Sequence, residues 1–192
     1  MSPDILTQFS EKTEAKTTLP IDGEKKIEEQ KGFTFRRIEI GEYLSKQMIE
    51  CPPIHSKNSD VCYQAMKFDK DLFRIDRLPS IGFGTPLYVM LIDGKVEYIK
   101  MSFLEINSAN LLEMLISKYG KFNSYSTSEV QNRMGAKFGK FEAKWIINNC
   151  EIYLTNISGD IESGLLMITS EAYRKTILEK RKEEIEDAKD KL

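Results

Sequence analysis

Short apolar runs that alternate with polar residues dominate the chain from residue 33 onward and predict β-strands joined into hairpins. The clearest hairpin lies within residues 86–103, where Asp93 and Gly94 separate two β-rich segments. Because a type I′ turn requires a positive φ at both central residues, this dipeptide favours a tight hairpin. Apolar residues occur on both of its faces, so either the register contains a bulge after Tyr98 or both faces are covered.

A second hairpin is predicted over residues 143–154, with Asn148 and Asn149 as its turn. The register set by this turn places six side chains on one face, and their apolar character identifies it as the core face. The opposite face is mainly polar. The six core-face residues are Ala143, Trp145, Ile147, Cys150, Ile152 and Leu154.

Helical periodicity appears first in residues 42–49, a short helix after a turn at Gly41, and then in a longer segment of the chain. This second helix begins at a capping Asn107 or Ser108 and ends before Gly120, whose conformational freedom suits the residue that follows a helix. One apolar stripe runs along it and predicts that it packs on the sheet. The stripe consists of Leu111, Leu112, Leu115, Ile116 and Tyr119.

A long C-terminal helix is predicted to follow Ser170, which serves as its N-cap, with Glu171 favourably placed in the first turn. Residues 171–192 carry seven acidic and seven basic residues, so most of this helix is expected to project into solvent. Its first turns carry three apolar side chains that we expect to dock on the sheet. They are Tyr173, Ile177 and Leu178.

The remaining segments have weaker patterns. Residues 33–40 alternate well enough to predict one strand. Residues 121–140 are polar and contain glycine, and they predict a mobile loop with one helical turn near residues 129–134. Further strands are predicted at residues 63–69, 72–75 and 165–169.

Hairpins predominate over alternating strand–helix units, so a doubly wound parallel sheet is not expected. The predicted fold class is α+β: an antiparallel β-sheet built from hairpins, helices packed on one face, and a long C-terminal helix. Twelve of the first 32 residues are charged and neither periodicity appears among them. We therefore predict a disordered leader or tether at residues 1–32 and a single α+β domain at residues 33–192.

The composition of the chain mainly excludes classes of protein. The 192 residues include 28 basic and 30 acidic ones, and a net charge of −2 gives no indication of nucleic-acid binding, which usually requires a basic excess on one face. No run approaches the roughly 18–20 apolar residues of a transmembrane helix. The N-terminus lacks a basic segment followed by an apolar one and is not a signal peptide. The chain is then either cytosolic or the mature form of an exported protein.

Three cysteines and one histidine are the candidates for metal binding or nucleophilic chemistry. Together Cys51, His55, Cys62 and Cys150 match a Cys₃His zinc ligand count, but their spacings differ from a paired-cysteine knuckle and Cys150 falls on the predicted core face. A cysteine hydrolase would need His55 beside a reactive thiol, whereas its polar loop indicates an exposed histidine. We predict a disulfide between Cys51 and Cys62, and the alternative is that the cysteines are free thiols. No catalytic residue, metal site or cofactor is predicted.

Three further motifs have simpler structural explanations. Residues 135–140 superficially resemble a phosphate-binding loop, but the motif is one residue too short and lacks a Ser or Thr after Lys140. Residues 137–145 mix basic and aromatic side chains as single-strand nucleic-acid binders do, yet Trp145 is predicted to face the core. The sequence Asn156-Ile-Ser matches a glycosylation sequon, which carries little weight alone.

Six short motifs are distributed between Phe33 and Arg181. They are the opening before the short helix, a cysteine-containing loop, the Asp-Gly hairpin, the end of the middle helix, a tryptophan strand and the start of the last helix. In order, they are Ile38–Gly41, Cys51–Cys62, Ile92–Val96, Lys118–Gly120, Trp145 and Ser170–Tyr173.

With these motifs the chain resembles a group of small bacterial exported proteins. Its layout is similar to helix-plus-antiparallel-sheet envelope modules of the β-lactamase-inhibitor-protein and SmpA/OmlA lipoprotein type. The resemblance implies an envelope location and a binding role, and it assigns no functional residue. We therefore expect a non-enzymatic periplasmic or envelope-associated module that binds another protein through the outer sheet face and residues 121–140. The alternative is a cytosolic enzyme or small-ligand-binding protein whose site forms only in space.

Overall fold

The computed structural model describes residues 32–52, 60–83 and 86–189, which adopt an α+β fold. The predicted fold class is therefore confirmed. The predicted leader lies outside the described residues except for Gly32. The strands are β1 (Thr34–Phe35), β2 (Ile38–Glu39), β3 (Ile49–Glu50), β4 (Cys62–Met66), β5 (Asp69–Asp76), β6 (Leu87–Ile92), β7 (Lys95–Leu104), β8 (Ser124–Gln131), β9 (Lys137–Ile147), β10 (Cys150–Thr155) and β11 (Ser163–Thr169). The helices are α1 (Leu44–Gln47), α2 (Ser108–Tyr119) and α3 (Glu171–Lys189).

Nine of these strands form one sheet in the order β3-β4-β5-β6-β7-β11-β10-β9-β8, and β1 pairs with β2 separately. Every neighbouring pair in the large sheet is antiparallel except β3 and β4, which are parallel. Most sequence neighbours are also sheet neighbours, which is the arrangement that a series of hairpins produces. The exception in the large sheet is the pair β7 and β8, which are separated by β11, β10 and β9.

Residues 33–40 form a tight hairpin, so the prediction of a single strand is wrong. Arg36 and Arg37 make the turn, with φ of 48° and 72°, and Phe35 pairs with Ile38 across it. In one continuous strand the two phenylalanines and the two isoleucines would point to opposite faces. The hairpin turns all four to the same side, and all four are buried: Phe33, Phe35, Ile38 and Ile40.

Both predicted hairpins are present. Asp93 and Gly94 adopt positive φ between β6 and β7, and the register shifts so that Glu97 is an extra residue on β7. This bulge lies before Tyr98, not after it, and Tyr98 is covered by α3 as well. In the second hairpin, the predicted register is confirmed throughout, and Trp145 pairs with Ile152 on the buried face.

The predicted loop at residues 121–140 is wrong, because residues 124–131 form β8 and residue 137 begins β9. The two strands pair in an uninterrupted register from Ser124–Lys144 to Gln131–Lys137. Most side chains of β8 are exposed, since this strand lies at the edge of the sheet. A strand with little apolar burial needs no apolar alternation, and its polar sequence therefore gave no strand signal.

One face of the sheet carries the core. The β1–β2 hairpin, α1 and α2 cover this face and bury the central strands into one apolar cluster. The stripe predicted for α2 faces the cluster, with Leu111 and Leu115 fully inside it. Gly164 of β11 is required there because a Cβ atom would lie 2.3 Å from the Phe103 ring, which occupies the space instead.

The N-terminus of α3 is capped as predicted, because the Tyr173 amide donates to Ser170 Oγ at 2.9 Å. Docking of the helix is more limited than predicted. Tyr173 stacks on Tyr98 with ring centroids 4.9 Å apart, but Ile177 and Leu178 are 40% and 56% exposed. The helix leaves the sheet within its first turns, so the expectation that these two residues pack on the sheet is wrong. Among the described residues, no helix has the length and apolar character that a membrane crossing requires.

Candidate functional site

The three cysteines that were considered as candidates for metal binding or nucleophilic chemistry have structural roles. Cys51 and Cys62 form a disulfide with Cα atoms 4.8 Å apart, so neither can supply a thiolate to zinc or act as a nucleophile while the bond is intact. Cys150 is buried on the core face, and burial raises the pKa of its thiol. His55 lies outside the described residues. Within the described ranges, no group of three or more metal-ligating side chains converges.

The glycosylation motif is also structural. Asn156 is 5% exposed and its amide bonds to three groups. Its Oδ1 accepts the Phe141 amide at 2.8 Å, and its Nδ2 donates to the Gly139 carbonyl at 2.9 Å and to Glu105 Oε1 at 3.3 Å. Asn156 follows the last residue of β10, so its side chain extends the hydrogen bonding to β9 beyond the end of that strand. A side chain bound in this way is not accessible for glycosylation in the folded protein.

The basic and aromatic residues of the β9 segment are likewise divided between two environments. Trp145 is 1% exposed and its Nε1 donates to the Gly120 carbonyl at 2.9 Å, which confirms its predicted core position and removes it from any stacking surface. Lys140 pairs with Glu142 at 2.7 Å on the open face of the sheet. The ammonium group of Lys144 lies 5.6 Å from the ring centre of Tyr153 on the same face.

The distinctive feature of this face is a projecting hairpin. Strand β9 pairs with β10 only over residues 142–147, but with β8 over residues 137–144. Residues 127–141 therefore extend beyond the end of β10, and we call them the β8–β9 arm. The Asn156 amide joins the base of this arm to the rest of the sheet.

The tip of the arm has a defined turn. The Asn132 side chain accepts the amides of Met134 and Ala136 at 3.0 and 2.9 Å, and Gly135 adopts a φ of 88°. The Gln131 side chain donates to the Gly135 carbonyl at 3.0 Å. These bonds hold the Met134 side chain in solvent, where it is 91% exposed. The tip is thus an ordered turn that presents one large apolar side chain to solvent.

Strand β8 is an exposed edge. Within the described residues its outer side pairs with no other strand, although it is eight residues long. Natural proteins usually protect such an edge with a proline, a lysine or a bulge. None of these occurs in β8, whose register to β9 is unbroken. Its charged residue, Glu129, forms an ion pair with Lys137 at 3.1 Å on the neighbouring strand.

Two grooves meet at the base of the arm. The larger, of about 550 Å³, lies on the open face between the arm and the loop of residues 156–162. The second, of about 490 Å³, contains Leu104 and Ile106, which are 62% and 79% exposed. Ile157 and Ile161 line both grooves, so the two grooves adjoin at these apolar side chains. The other apolar side chains of the two grooves are Val130, Phe138, Leu165 and Met167.

Two polar side chains beside the larger groove have shifted pKa values. Hydrogen bonds from Lys140 and then Tyr153 lower the pKa of the Glu142 carboxyl, which stays ionised. Burial, and then the bond to Glu142, raise the pKa of the Tyr153 hydroxyl to about 12. Tyr153 is therefore a neutral hydrogen-bond donor, and the pair serves to orient Lys140 along the groove wall.

Comparison of this chain with known protein families, with curated proteins and with solved structures finds no match. The arrangement of residues on the surface is therefore the basis for a functional assignment. The sequence indicated the region of the arm correctly as exposed and polar, but not its strand structure. Tyr125, Thr127 and Val130 are the residues that favour a strand there, because β-branched and aromatic side chains are enriched in strands.

Proposed function

We propose that this chain is a non-enzymatic protein-interaction module that binds an extended segment of another protein along β8. The observation that carries the proposal is the eight-residue edge of β8, which has no proline, lysine or bulge to hinder strand pairing and whose one charged residue, Glu129, is paired with Lys137. A partner strand added there would gain main-chain hydrogen bonds along the edge, and pockets for alternate side chains would supply the specificity.

The surroundings of β8 support this mode of binding. Ser126 and Ser128 are small and exposed, so they allow a partner backbone to approach the edge closely. The two grooves at the base of the arm offer apolar lining residues that side chains of the bound segment could contact. Met134 at the tip extends the contact surface. Exposed apolar side chains next to an open strand edge favour a partner that brings both a strand and apolar anchors.

Site-specific crosslinking in the native host tests the proposal. A photoreactive amino acid at Ser128 of the arm is expected to give a discrete protein adduct, and the same group at Ser117 on α2, also an exposed serine, is expected to give none. Equal adducts from the two positions, or none from Ser128, would contradict binding at the arm.

Two adjacent proline variants then test strand pairing. Successive backbone amides of a strand point alternately towards one neighbouring strand and towards the other. Of the two variants Ser126→Pro and Thr127→Pro, one therefore removes an amide that points away from β9. That variant is expected to keep the fold, judged by circular dichroism, and to lose the Ser128 adduct. If the folded variant still forms the adduct, the partner does not pair with β8.

We also propose that the protein works in an oxidising compartment, such as the periplasm or cell envelope, and not in the cytosol. The Cys51–Cys62 disulfide supports this location, since structural disulfides persist mainly outside the cytosol. The test is the intact mass of the native protein after alkylation without reduction. One alkylated cysteine, at Cys150 after unfolding, is expected, whereas three would indicate the cytosol.

A further inference from the structure

Three arginines occupy unfavourable backbone conformations near one cavity. Arg36, Arg37 and Arg77 have φ of 48°, 72° and 62°, in the left-handed region that glycine and asparagine adopt most easily. A two-residue turn such as that at Arg36 and Arg37 normally carries Asn-Gly or a similar pair. Backbone strain of this kind is concentrated at functional sites, where the side chain is needed in that position.

The cavity has a volume of about 410 Å³, within the range of small-molecule sites. Arg36, Arg74 and Arg77 line it, and Asp76 is the one carboxylate among the described residues that do so. The lining therefore contains three guanidinium groups and one carboxylate. Aromatic and aliphatic side chains form the rest of the lining, chiefly Leu78, Phe83 and Pro86.

The carboxylate of Asp76 is already engaged. Arg74 binds Asp76 Oδ2 at 3.0 Å, and it also donates to Gln64 Oε1 at 3.3 Å. Asp76 Oδ2 lies 3.9 Å from the disulfide sulfur of Cys51 on its other side. Arg74 and Asp76 thus form an ion pair beside the disulfide, and because a guanidinium group has five N–H donors, Arg74 keeps donors besides those bound to Asp76 and Gln64.

Arg36 is half-buried without a carboxylate partner in the described part of the chain. Its Nη2 donates to the Pro79 carbonyl, and Nη1 lies 3.9 Å from the sulfur of Met101. A guanidinium group has five N–H donors, so these two contacts leave others to face the cavity. Burial also lowers the pKa of Arg36, which reflects the unfavourable desolvation of its charge.

We propose that this cavity binds a small organic anion, with its carboxylate or phosphate on Arg36 and Arg74 and its apolar body against Leu78 and Phe83. The planar guanidinium groups match the geometry of such oxyanions. A bound anion would pair with the half-buried charge of Arg36. This ligand site lies apart from the β8–β9 arm, so its failure would leave the proposed protein interaction untouched.

The two turn arginines supply a matched pair of variants. Glycine adopts the φ of either position without strain, so both Arg36→Gly and Arg37→Gly should retain or raise the melting temperature. Arg37 is exposed and does not line the cavity. Loss of binding in the first variant alone would therefore identify the guanidinium group of Arg36, and not the turn, as the determinant.

Isothermal titration calorimetry with phenyl phosphate, benzoate and phenol is the experiment. We expect the two anions to bind the oxidised full chain and phenol to bind far more weakly. Arg36→Gly should weaken anion binding by about tenfold or more, because a charge-assisted pair is lost, and Arg37→Gly should change it by less than about twofold. The stronger of the two anions identifies whether carboxylate or phosphate is preferred.

Three results would overturn the proposal. They are an undiminished affinity in Arg36→Gly, binding of phenol as tight as that of the anions, or no binding of either anion to the wild-type chain. If Arg36→Gly proves unstable, Arg74→Gln, which keeps a hydrogen-bond donor but removes the charge, serves as the second variant. It should weaken anion binding also, and unchanged affinity in that folded variant contradicts the site.

Discussion

Strand β9 belongs to two hairpins that differ in almost every physical respect. Towards β10 it contributes Ala143 and Trp145 to the centre of the core, with exposures of 0% and 1%. Towards β8 it carries residues 137–141, which extend past the sheet into the arm. The same backbone geometry thus occurs with and without burial. Apolar alternation therefore reports which strands are buried, and it does not report which segments are strands.

The largest effect on stability is expected from substitutions that compare the buried and the projecting halves of β9. Trp145→Ala removes a fully buried indole and its hydrogen bond to Gly120, and should lower the free energy of unfolding by about 3–5 kcal/mol. Phe138→Ala in the arm is the control and should lower it by less than about 1.5 kcal/mol, because this ring is only half-buried. Urea denaturation measures both, and similar losses would show that the arm is part of the cooperative core.

An intermediate effect is expected where the halves meet. Asn156→Ala leaves the Phe141 amide and the Gly139 carbonyl without their partner, and should cost about 1–3 kcal/mol. Hydrogen exchange should accelerate throughout residues 127–141 and remain slow at Trp145 and Ile152. Asn132→Ala, which disturbs only the tip, should accelerate exchange near residue 134 alone. Uniform acceleration over all of β9 would mean that the two halves open together.

The smallest expected effect depends on pH. The pKa of Glu142 is lowered in the folded state, so its ionised form adds stability above the pKa of the unfolded chain, and this contribution disappears as pH falls through the folded value. Because its pair with Lys140 is partly exposed, the contribution should not exceed about 1 kcal/mol. Glu142→Gln should therefore be less stable than wild type at pH 7 and equally stable near pH 3. A difference that is constant between those pH values would exclude the charge as its cause.

The difference between buried and exposed segments also decides what could be predicted from the sequence. The register of Trp145 with Ile152 follows from a turn and six side chains that all need the same face, so several local signals agree. The turn at Arg36 and Arg37 was missed because its residues lack the usual turn chemistry. The docking of Ile177 was over-predicted because helical periodicity shows an apolar stripe but not whether a surface lies opposite it.

The candidate sites were harder to predict for a different reason. The Cys51–Cys62 disulfide joins residues close in sequence, and the cysteine count was enough to suggest it. The arginine cavity combines the side chains of Arg36, of several residues between 74 and 80, and of Phe83 and Pro86, which the tertiary fold brings together. The edge of β8 depends on the absence of a neighbour within the described residues, and a sequence pattern does not specify strand order.

The disulfide has a topological consequence. Cys51 directly follows β3 and Cys62 begins β4. The two strands are therefore connected covalently twice, once through the peptide backbone and once through the disulfide. A protease that cuts any peptide bond between these residues would leave one connected molecule, which separates into two fragments only after reduction. The peptide bonds from residue 51 to residue 62 are therefore not needed to keep β3 attached to β4. New chain termini could be introduced there without dividing the sheet.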